Sequence, residues 1–220
     1  MQNATILMSE FVTHDVKRFI VSKPEGFEWS PGQGVELAVD APDWREETRP
    51  FSPTSLPEDR VLEFTIKGYP EHRGVTEKLH TLGAGDCLLI SEPFGTITYQ
   101  GPGTFIAGGA GITPFMAILR TLARDGQLAG NSLLFSNKTP DDVIAAKEFR
   151  YYLGERCTYL CSREAGSGCQ SGRIDKAFLE RHITDVDQRF YLCGPPKFVS
   201  GIKDALGSMG ANPDAVVFER

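Results

Sequence analysis

The segment at residues 105–115 constrains the fold most, because it runs from an apolar strand through a glycine cluster into a helix. Glycine allows a tight turn and a close approach of the backbone to a ligand. Thr113 is suited to cap the helix and Pro114 to its first position, and the free N–H groups there favour a phosphate. The spacing is not G-x-G-x-x-G, since the third position counted from Gly109 is Pro114, and a turn without a ligand is the alternative. The segment predicts a ligand site beyond the carboxyl ends of parallel strands.

The two halves of the chain carry different patterns. Short strands are predicted at 5–12, 16–21, 35–39, 61–67 and 87–91, with one helix at 76–82, which favours a small antiparallel barrel. After the turn-rich residues 100–103, strands at 104–107, 132–135, 158–161, 190–192 and 215–218 alternate with helices at 113–123, 142–153, 174–181 and 195–206. Such alternation predicts a parallel sheet with helices on both faces. We therefore expect an antiparallel β-barrel over residues 1–100, followed by a doubly wound α/β domain over residues 101–220.

Composition excludes several classes of protein. The 23 basic and 29 acidic residues give a net charge of −6, so we expect no nucleic acid or anionic membrane as partner. No apolar run reaches the roughly 18–20 residues of a membrane span, and the N-terminus does not read as a signal peptide. Five cysteines without scaffold spacing indicate free thiols in a reducing compartment, so the predicted location is cytoplasmic. The histidines show no zinc spacing with these thiols, and no metal is expected.

Two segments of the first half also suggest phosphate binding. In R-P-F-S at residues 49–52, Arg49 is suited to a phosphate and Phe51 offers a flat apolar platform. On a regular strand Ser52 would face the other side. The segment G-V-T at residues 74–76 precedes a helix whose N-terminus is a second phosphate site. An edge strand with a solvated arginine and an ordinary capped helix are the simpler alternatives.

Taken in chain order, six segments resemble the ferredoxin–NADP reductase family. They are R-P-F-S (49–52), G-V-T (74–76), E-P-F-G (92–95), G-G-A-G-I-T-P (108–114), C-G-P-P (193–196) and F-E (218–219). The resemblance implies an FAD-binding barrel, a nucleotide-binding α/β domain, and transfer of hydride from NADPH with release of single electrons. The cysteine spacings do not fit a plant-type [2Fe–2S] cluster. The expected acceptor is therefore separate: a ferredoxin, a flavodoxin or an oxygenase component.

The same resemblance implies the contacts of the flavin. It places Arg49 at the pyrophosphate, Phe51 on the isoalloxazine and Ser52 near flavin N5. The other implied flavin-binding residues are Pro50, Thr65, Ile66, Lys67, Gly74, Val75 and Thr76. Many family members end with an aromatic residue over the flavin, whereas this sequence ends with Glu219 and Arg220. What covers that face of the flavin is left open.

The resemblance also implies the contacts of the nicotinamide nucleotide. The residues that would cradle it are Gly109, Gly111, Thr113 and Pro114. Cys193 and Gly194 would border the nicotinamide, and Glu219 would complete a polar cluster with Ser52 and Cys193 where hydride is transferred. A buried small side chain is the simpler interpretation of Cys193.

The choice between NADPH and NADH depends on residues that follow a predicted strand. Ser162, Arg163 and Arg173 favour NADPH, because cationic donors suit a 2′-phosphate. Glu164 could instead accept a hydrogen bond from a free 2′-hydroxyl, so NADH stays open.

Two other functions remain as alternatives. One is an NAD(P)H:flavin reductase, which uses flavin as a diffusing substrate and shares the R-P-F-S segment. The other is a flavin-binding electron-transfer subunit of a larger enzyme. The G-V-T segment favours retained FAD. Arg45, Lys67, Arg73 and Lys78 are candidates for a basic patch that docks an acidic acceptor, and the sequence does not indicate the oligomeric state.

Overall fold

The computed structural model describes residues 1–95, 97–164, 166 and 168–218, which form two six-stranded sheets. The first sheet is antiparallel and has the order β4-β3-β6-β1-β2-β5. A bridge between Pro53 and Phe64 joins its two edges, so the sheet closes into a nearly complete barrel. One helix accompanies it. The elements are β1 (Gln2–Phe11), β2 (Val16–Ser22), β3 (Val35–Val39), β4 (Arg49–Phe51), β5 (Val61–Lys67), α1 (Val75–His80) and β6 (Cys87–Ile90).

Strand β5 shows how the barrel meets the rest of the chain. Leu62, Phe64 and Ile66 alternate along it and pack in the barrel core. The residues between them, Glu63 and Thr65, are also buried, at 8% and 5% exposure. Because side chains alternate across a strand, this second face must be covered from outside the barrel, and Arg120 of the second half reaches Glu63. The barrel and the second half are therefore packed against each other along β5.

The second sheet is parallel and has the order β10-β9-β8-β7-β11-β12. One face packs Phe105 and Phe115 into a core cluster, and the other packs Ile106 and Leu192 into a second cluster. The predicted doubly wound fold is confirmed. The elements are β7 (Gly103–Gly108), α2 (Thr113–Arg124), β8 (Ser132–Asn137), α3 (Ala146–Leu153), β9 (Cys157–Cys161), β10 (Gln170–Ser171), α4 (Lys176–His182), β11 (Arg189–Cys193), α5 (Pro196–Ser208) and β12 (Val216–Phe218).

The strand order reverses between β7 and β11. From β7 the chain proceeds to β8 on one side, and later reaches β11 on the other side. At this reversal Ala107 pairs with Cys193, near the carboxyl ends of both strands. Ligands of open α/β sheets bind outside the strand ends at such a point. The glycine cluster and Cys193 therefore meet at the position where such sheets bind a ligand.

Two local features differ from the sequence-based expectations. Helix α3 begins at Ala146 rather than at residue 142, because residues 140–142 form a short 3₁₀ turn closed by a capping box between Thr139 and Asp142. Strand β10 was not predicted, since Gln170 and Ser171 are exposed and show no apolar alternation. The boundary predicted at residue 100 falls in the connection between Ile90 of β6 and Gly103 of β7.

The prediction of free thiols is wrong for one pair of cysteines. Cys161, at the end of β9, forms a disulfide with Cys169, and their Cα atoms are 5.9 Å apart. The chain leaves β9, turns, and returns beside it as β10, where Ser171 pairs with Cys161. Cys87 and Cys157 carry free thiols. The spacing of the cysteines in the sequence could not show this disulfide, because it depends on the pairing of β10 with β9.

In the part of the chain that the structure describes, no helix has both the length and the apolar character needed to cross a membrane.

Candidate functional site

A cavity of about 730 Å³ lies between the barrel and the carboxyl ends of β7, β8, β9 and β11. Residues of both halves of the chain form its wall, and most of the sequence-predicted site residues are among them. From the barrel come Pro50, Phe51, Ser52, Thr65, Ile66, Lys67, Tyr69 and Thr76. From the second half come Gly108, Gly109, Ala110, Gly111, Thr113, Pro114, Ser136, Asn137, Lys138, Asp142, Ser162, Cys193, Gly194, Pro195 and Phe198.

The glycine turn forms the floor of the cavity beside the start of α2. Gly109 has a φ of +55° and open space where a side chain would be. A Cβ on Gly111 would overlap the carbonyl oxygen of Cys193, so only glycine fits there. Thr113 is the first residue of α2 rather than its cap, and its hydroxyl donates to the carbonyl of Ala110 at 3.0 Å. This hydroxyl holds the turn against the helix. The backbone N–H of Thr113 donates to the same carbonyl and Pro114 has no N–H, so neither residue offers a backbone donor to an anion.

The end of β11 approaches the end of β7 closely, and both ends contain glycine. Cys193 is 8% exposed and lines the cavity. Gly194 follows with a φ of +153°, and a Cβ there would lie 3.1 Å from the Cα of Gly108. The ring of Phe198 packs against both glycines, since added Cβ atoms would lie 3.0 Å and 2.9 Å from it. The sequence analysis missed Phe198, although it lies on the helix that begins in C-G-P-P.

On the barrel side, Phe51 and Ser52 line the same cavity. The alternation of side chains along a strand predicted that Phe51 and Ser52 face opposite sides. Because β4 ends at Phe51, the pleat of the strand no longer constrains Ser52. Arg49 is different: it is absent from the wall that the described residues form. Its guanidinium is exposed, donates to the carbonyl of Thr48 at 2.6 Å, and lies 3.6 Å from Glu47.

One residue of the G-V-T segment lines the cavity. Thr76 lines the wall, whereas Val75, the first residue of α1, is buried, and Gly74 caps the helix with its backbone. Tyr69, which the sequence analysis missed, also lines the wall and stacks on His72 with ring centroids 5.6 Å apart. An aromatic face beside a helix start is a suitable place for the planar part of a ligand.

Lys67 links the barrel to the second half across the cavity wall. Its ammonium lies 2.6 Å from Asp15 and 3.6 Å from Asp142, and His14 lies 3.9 Å from the same Asp142 oxygen. Burial alone would lower the pKa of Lys67, but the hydrogen bond and charge of Asp15 raise it above its usual value. Burial alone would raise the pKa of Asp142, but hydrogen bonds from Thr139 and the charge of Lys67 lower it. Lys67 is therefore held as a cation beside the cavity.

The residues predicted for the nucleotide's 2′-substituent lie at the end of β9. Ser162 lines the cavity, while Arg163 and Arg173 are exposed and lie outside the described part of its wall. The backbone N–H of Arg163 donates to the carbonyl of Lys138 at 2.9 Å, and that of Gly172 donates to Cys161 at 3.1 Å. Arg163 itself, and the residue before Arg173, are thus bonded to the backbone at neighbouring strand ends. Glu219 lies outside the described residues.

The wall has the chemistry that a flavin and a dinucleotide need. It offers the partly buried ring of Phe51, the glycine turn at a helix start, and the cation of Lys67. It also contains the buried amide of Asn137, for which no hydrogen-bond partner exists among the described residues. A buried polar group without a partner is rare in a folded protein and calls for a ligand or water. The residues present therefore fit FAD and a nicotinamide nucleotide.

Comparisons with known proteins match each half of the chain to a domain family. An oxidoreductase FAD-binding domain model matches residues 3–99, and an oxidoreductase NAD-binding domain model matches residues 105–204. The reductase component of the naphthalene 1,2-dioxygenase system of Pseudomonas putida, named as a ferredoxin–NAD(P)(+) reductase, is 26% identical over 221 residues, covering 96% of this chain and 66% of that protein. NADH-cytochrome b5 reductase 1 of Coccidioides immitis is 28% identical over 234 residues, covering 95% of this chain and 75% of that protein.

Solved structures show the same fold. The flavohem-like FAD/NAD binding domain of nitric oxide dioxygenase from Vibrio cholerae gives a TM-score of 0.87 at 21% identity, covering 99% of this chain and 97% of that one. A ferredoxin NADP+ reductase from Neisseria gonorrhoeae with bound FAD and NADP gives 0.82 at 21% identity, with the same coverage of 99% and 97%. The chain spans just under two thirds of the two bacterial dioxygenase-system reductases that it matches, at 66% and 65% of their lengths.

A nearly complete barrel and a doubly wound sheet share one cavity, and they match an oxidoreductase FAD-binding domain and an oxidoreductase NAD-binding domain. The two models together account for nearly the whole chain, in the order in which the motifs occur. The chain belongs to the ferredoxin–NADP reductase family.

Proposed function

We propose that the protein is an FAD-dependent reductase that oxidises NADPH and passes single electrons to a separate protein acceptor. One observation supports this most: Phe51 and Ser52 of the barrel line the same cavity as the glycine turn and Cys193 of the second domain. A flavin bound at the barrel and a nicotinamide bound at the strand ends would therefore meet. When bound, the flavin supplies the chemistry of accepting two electrons as hydride and releasing them one at a time.

The protein residues then orient and shield the reacting groups. Phe51 would pack against the flavin ring system, and the Ser52 hydroxyl would hydrogen-bond at flavin N5. Cys193 and Gly194 would border the nicotinamide, and the Phe198 ring packs against Gly108 and Gly194 at the two strand ends. Lys67, held by two carboxylates, retains N–H donors for a phosphate. Such positioning and exclusion of water are what the protein contributes to the transfer.

We propose NADPH rather than NADH as the preferred donor. Ser162 lines the cavity, and the exposed guanidinium groups of Arg163 and Arg173 begin at backbone positions beside the end of β9. Paired cationic donors next to a hydroxyl suit a 2′-phosphate. Glu164, also exposed, supports NADH as the alternative.

The acceptor is proposed to be a ferredoxin, a flavodoxin or an oxygenase component. Relatives named as reductase components of naphthalene dioxygenase and propane monooxygenase systems support this choice. Within the candidate basic patch, Arg45 is paired with Asp40 at 2.6 Å and Lys67 with Asp15. Arg73 and Lys78 are therefore the stronger candidates for docking. The cytoplasmic location stays a prediction, and the Cys161–Cys169 disulfide removes part of its original basis.

A flavin reductase with exchangeable flavin is a second candidate, and the position of Arg49 favours it. The residue predicted to hold the flavin pyrophosphate is exposed and bonded to Thr48. Without that contact the flavin would be held less tightly. Retention of flavin after desalting therefore separates the two functions.

The experiment is a visible spectrum of the desalted protein, followed by anaerobic titration with NADPH and separately with NADH. A retained flavin band that NADPH bleaches at lower concentration than NADH is the expected result. The Arg163→Ala, Arg173→Ala double variant should lose that preference, while Lys176→Ala, an exposed control on α4, should keep it. A colourless protein that oxidises NADPH only with added flavin would replace the proposal with flavin reductase. Turnover only with a partner enzyme would indicate an electron-transfer subunit.

A further inference from the structure

Asn137 is a buried residue in the cavity wall whose side-chain amide bonds to none of the described residues. It ends strand β8 and is 6% exposed. Neither its Oδ1 nor its Nδ2 has a hydrogen-bond partner within the described residues. Burying an amide without partners costs free energy, so this side chain is positioned at the expense of stability.

A second buried asparagine shows what a structural role looks like in this protein. Asn131 is 0% exposed, and its Oδ1 accepts from the N–H of Gly103 at 3.2 Å. Its Nδ2 donates to the hydroxyl of Tyr99 at 3.1 Å and to the carbonyl of Gln127 at 3.2 Å. Asn131 is therefore satisfied by the protein itself, whereas Asn137 is not.

The position of Asn137 indicates which part of a ligand it meets. Strand β8 lies between β7, which leads into the glycine turn, and β9, which leads into Ser162. Residue 137 pairs with Cys161, and its carbonyl accepts from the N–H of Ser162 at 3.0 Å. A dinucleotide with its pyrophosphate at the glycine turn and its 2′-substituent at Ser162 must cross the end of β8. The group above Asn137 is then the adenosine ribose.

The chemistry of an amide selects a hydroxyl over a phosphate. Nδ2 donates and Oδ1 accepts, and a ribose hydroxyl can satisfy both because it accepts and donates. A phosphate oxygen only accepts, so it would leave Oδ1 without a donor. We propose that the Asn137 side chain binds the 3′-hydroxyl of the adenosine ribose, which NADH and NADPH share. This inference rests on the proposed function and names a positioning contact that does not discriminate between the two dinucleotides.

The test measures binding of NADP⁺ and NAD⁺ to the full chain loaded with FAD, by isothermal titration calorimetry. Asn137→Ala should raise both dissociation constants by the same factor, about tenfold, and leave their ratio unchanged. Arg163→Ala should weaken NADP⁺ alone, and Asn3→Ala, at an exposed position on β1, should change neither. The melting temperature of Asn137→Ala without nucleotide should not fall, because the removed amide bonds to none of the described residues.

A second ligand makes the assignment specific. An NAD⁺ analogue that lacks the adenosine 3′-hydroxyl should bind the wild type as weakly as NAD⁺ binds Asn137→Ala. The variant should bind this analogue no more weakly than it binds NAD⁺. Unchanged dissociation constants, or a loss confined to NADP⁺, would overturn the inference, and so would a lower melting temperature with unchanged binding. If Asn137→Ala does not fold, Asn137→Ser takes its place, with the same comparison of the two dinucleotides. A wild type that binds neither dinucleotide would instead overturn the proposed function, and this inference with it.

Discussion

Arg120 of α2 donates from Nη1 to Oε1 of Glu63 on β5 at 2.6 Å, and this contact ties the second domain to the barrel. The same guanidinium binds Glu148 through Nε at 2.6 Å and Nη2 at 3.0 Å, and reaches the carbonyl of Thr54. Burial would lower the pKa of Arg120, but the two carboxylates raise it, so the group stays charged. Because the cavity lies between the domains, this network fixes the position of the barrel residues of the site relative to those of the second domain.

Replacing Arg120 should therefore destabilise the whole chain. Arg120→Ala leaves the partly buried Glu148 without its cation and Glu63 with only the more distant guanidinium of Arg18, at 3.8 Å, which should lower the free energy of unfolding by about 3 kcal/mol. Urea unfolding monitored by circular dichroism measures this. Arg124→Ala, one turn further along α2, removes only exposed pairs with Asp125 and Glu58 and should have little effect. Equal stability of the two variants would show that the network does not hold the domains.

Gly111 should tolerate no side chain. In Gly111→Ala the new Cβ overlaps the carbonyl of Cys193, so the glycine turn or the end of β11 must move. We expect a loss of at least about 2 kcal/mol in stability and about a hundredfold weaker NADP⁺ binding, measured by thermal melts and calorimetry.

Gly201 provides a matched control for that variant. It lies inside α5 with no atom within 4 Å of an added Cβ, so Gly201→Ala should raise stability by about 0.5–1 kcal/mol through helix propensity. A Gly111→Ala protein as stable as the wild type would contradict the close approach of the two strand ends.

Asp142 should make stability depend on pH on the acid side. Its pKa is lowered in the folded chain, so the carboxylate stabilises the fold above the unfolded pKa of about 3.9, and this contribution is lost as pH falls toward the lower folded pKa. Asp142→Asn should melt below the wild type at pH 7, and the difference should shrink below about pH 4. Melting curves from pH 3 to pH 8 measure it. Asp141→Asn, at the exposed neighbouring position, should follow the wild type throughout, and a difference for Asp142→Asn that does not vary with pH would refute the ionic role.

The Cys161–Cys169 bond should be found by peptide mapping of protein purified without reductant. The peptides that contain these two cysteines should stay linked under denaturing alkylation, while Cys87 and Cys157 become alkylated. Reduction should lower stability by about 2 kcal/mol, because the cross-link closes a short loop in the unfolded chain. Cys87→Ser serves as the control, since it should not change the effect of reductant. Alkylation of all four positions before reduction would be the contrary result.

Residue patterns predicted most of the fold but only part of the site. The apolar run, glycine cluster and helix of residues 105–115 appear in the structure as β7, the turn and α2. The wall of the cavity includes Phe51, Ser52, Thr76 and Cys193, while the binding roles of all these residues stay predictions. Asn137 and Lys138 could have been found as polar residues that follow a predicted parallel strand, where strand ends converge.

The remaining features required the folded chain. Arg49 was expected at the cavity because it lies two residues before Phe51, yet its guanidinium is bonded to Thr48 outside the wall. Tyr69 reaches the cavity from a segment without a recognised motif, and Phe198 reaches it from two residues beyond C-G-P-P. The direction of a side chain near the end of a strand depends on contacts that alternation does not describe.

The sequence by itself determined the alternation of strands and helices, the position of the glycine turn and the order of the family's motifs. These depend on the backbone preferences and periodicity of neighbouring residues, which act within a few positions of the chain. Only the tertiary structure decided that Arg120 meets Glu63, 57 residues away, that Cys161 bonds to Cys169, and that the amide of Asn137 is buried with no partner in the described part of the chain. Those relationships arise when distant segments pack and exclude water, and no local pattern carries that information.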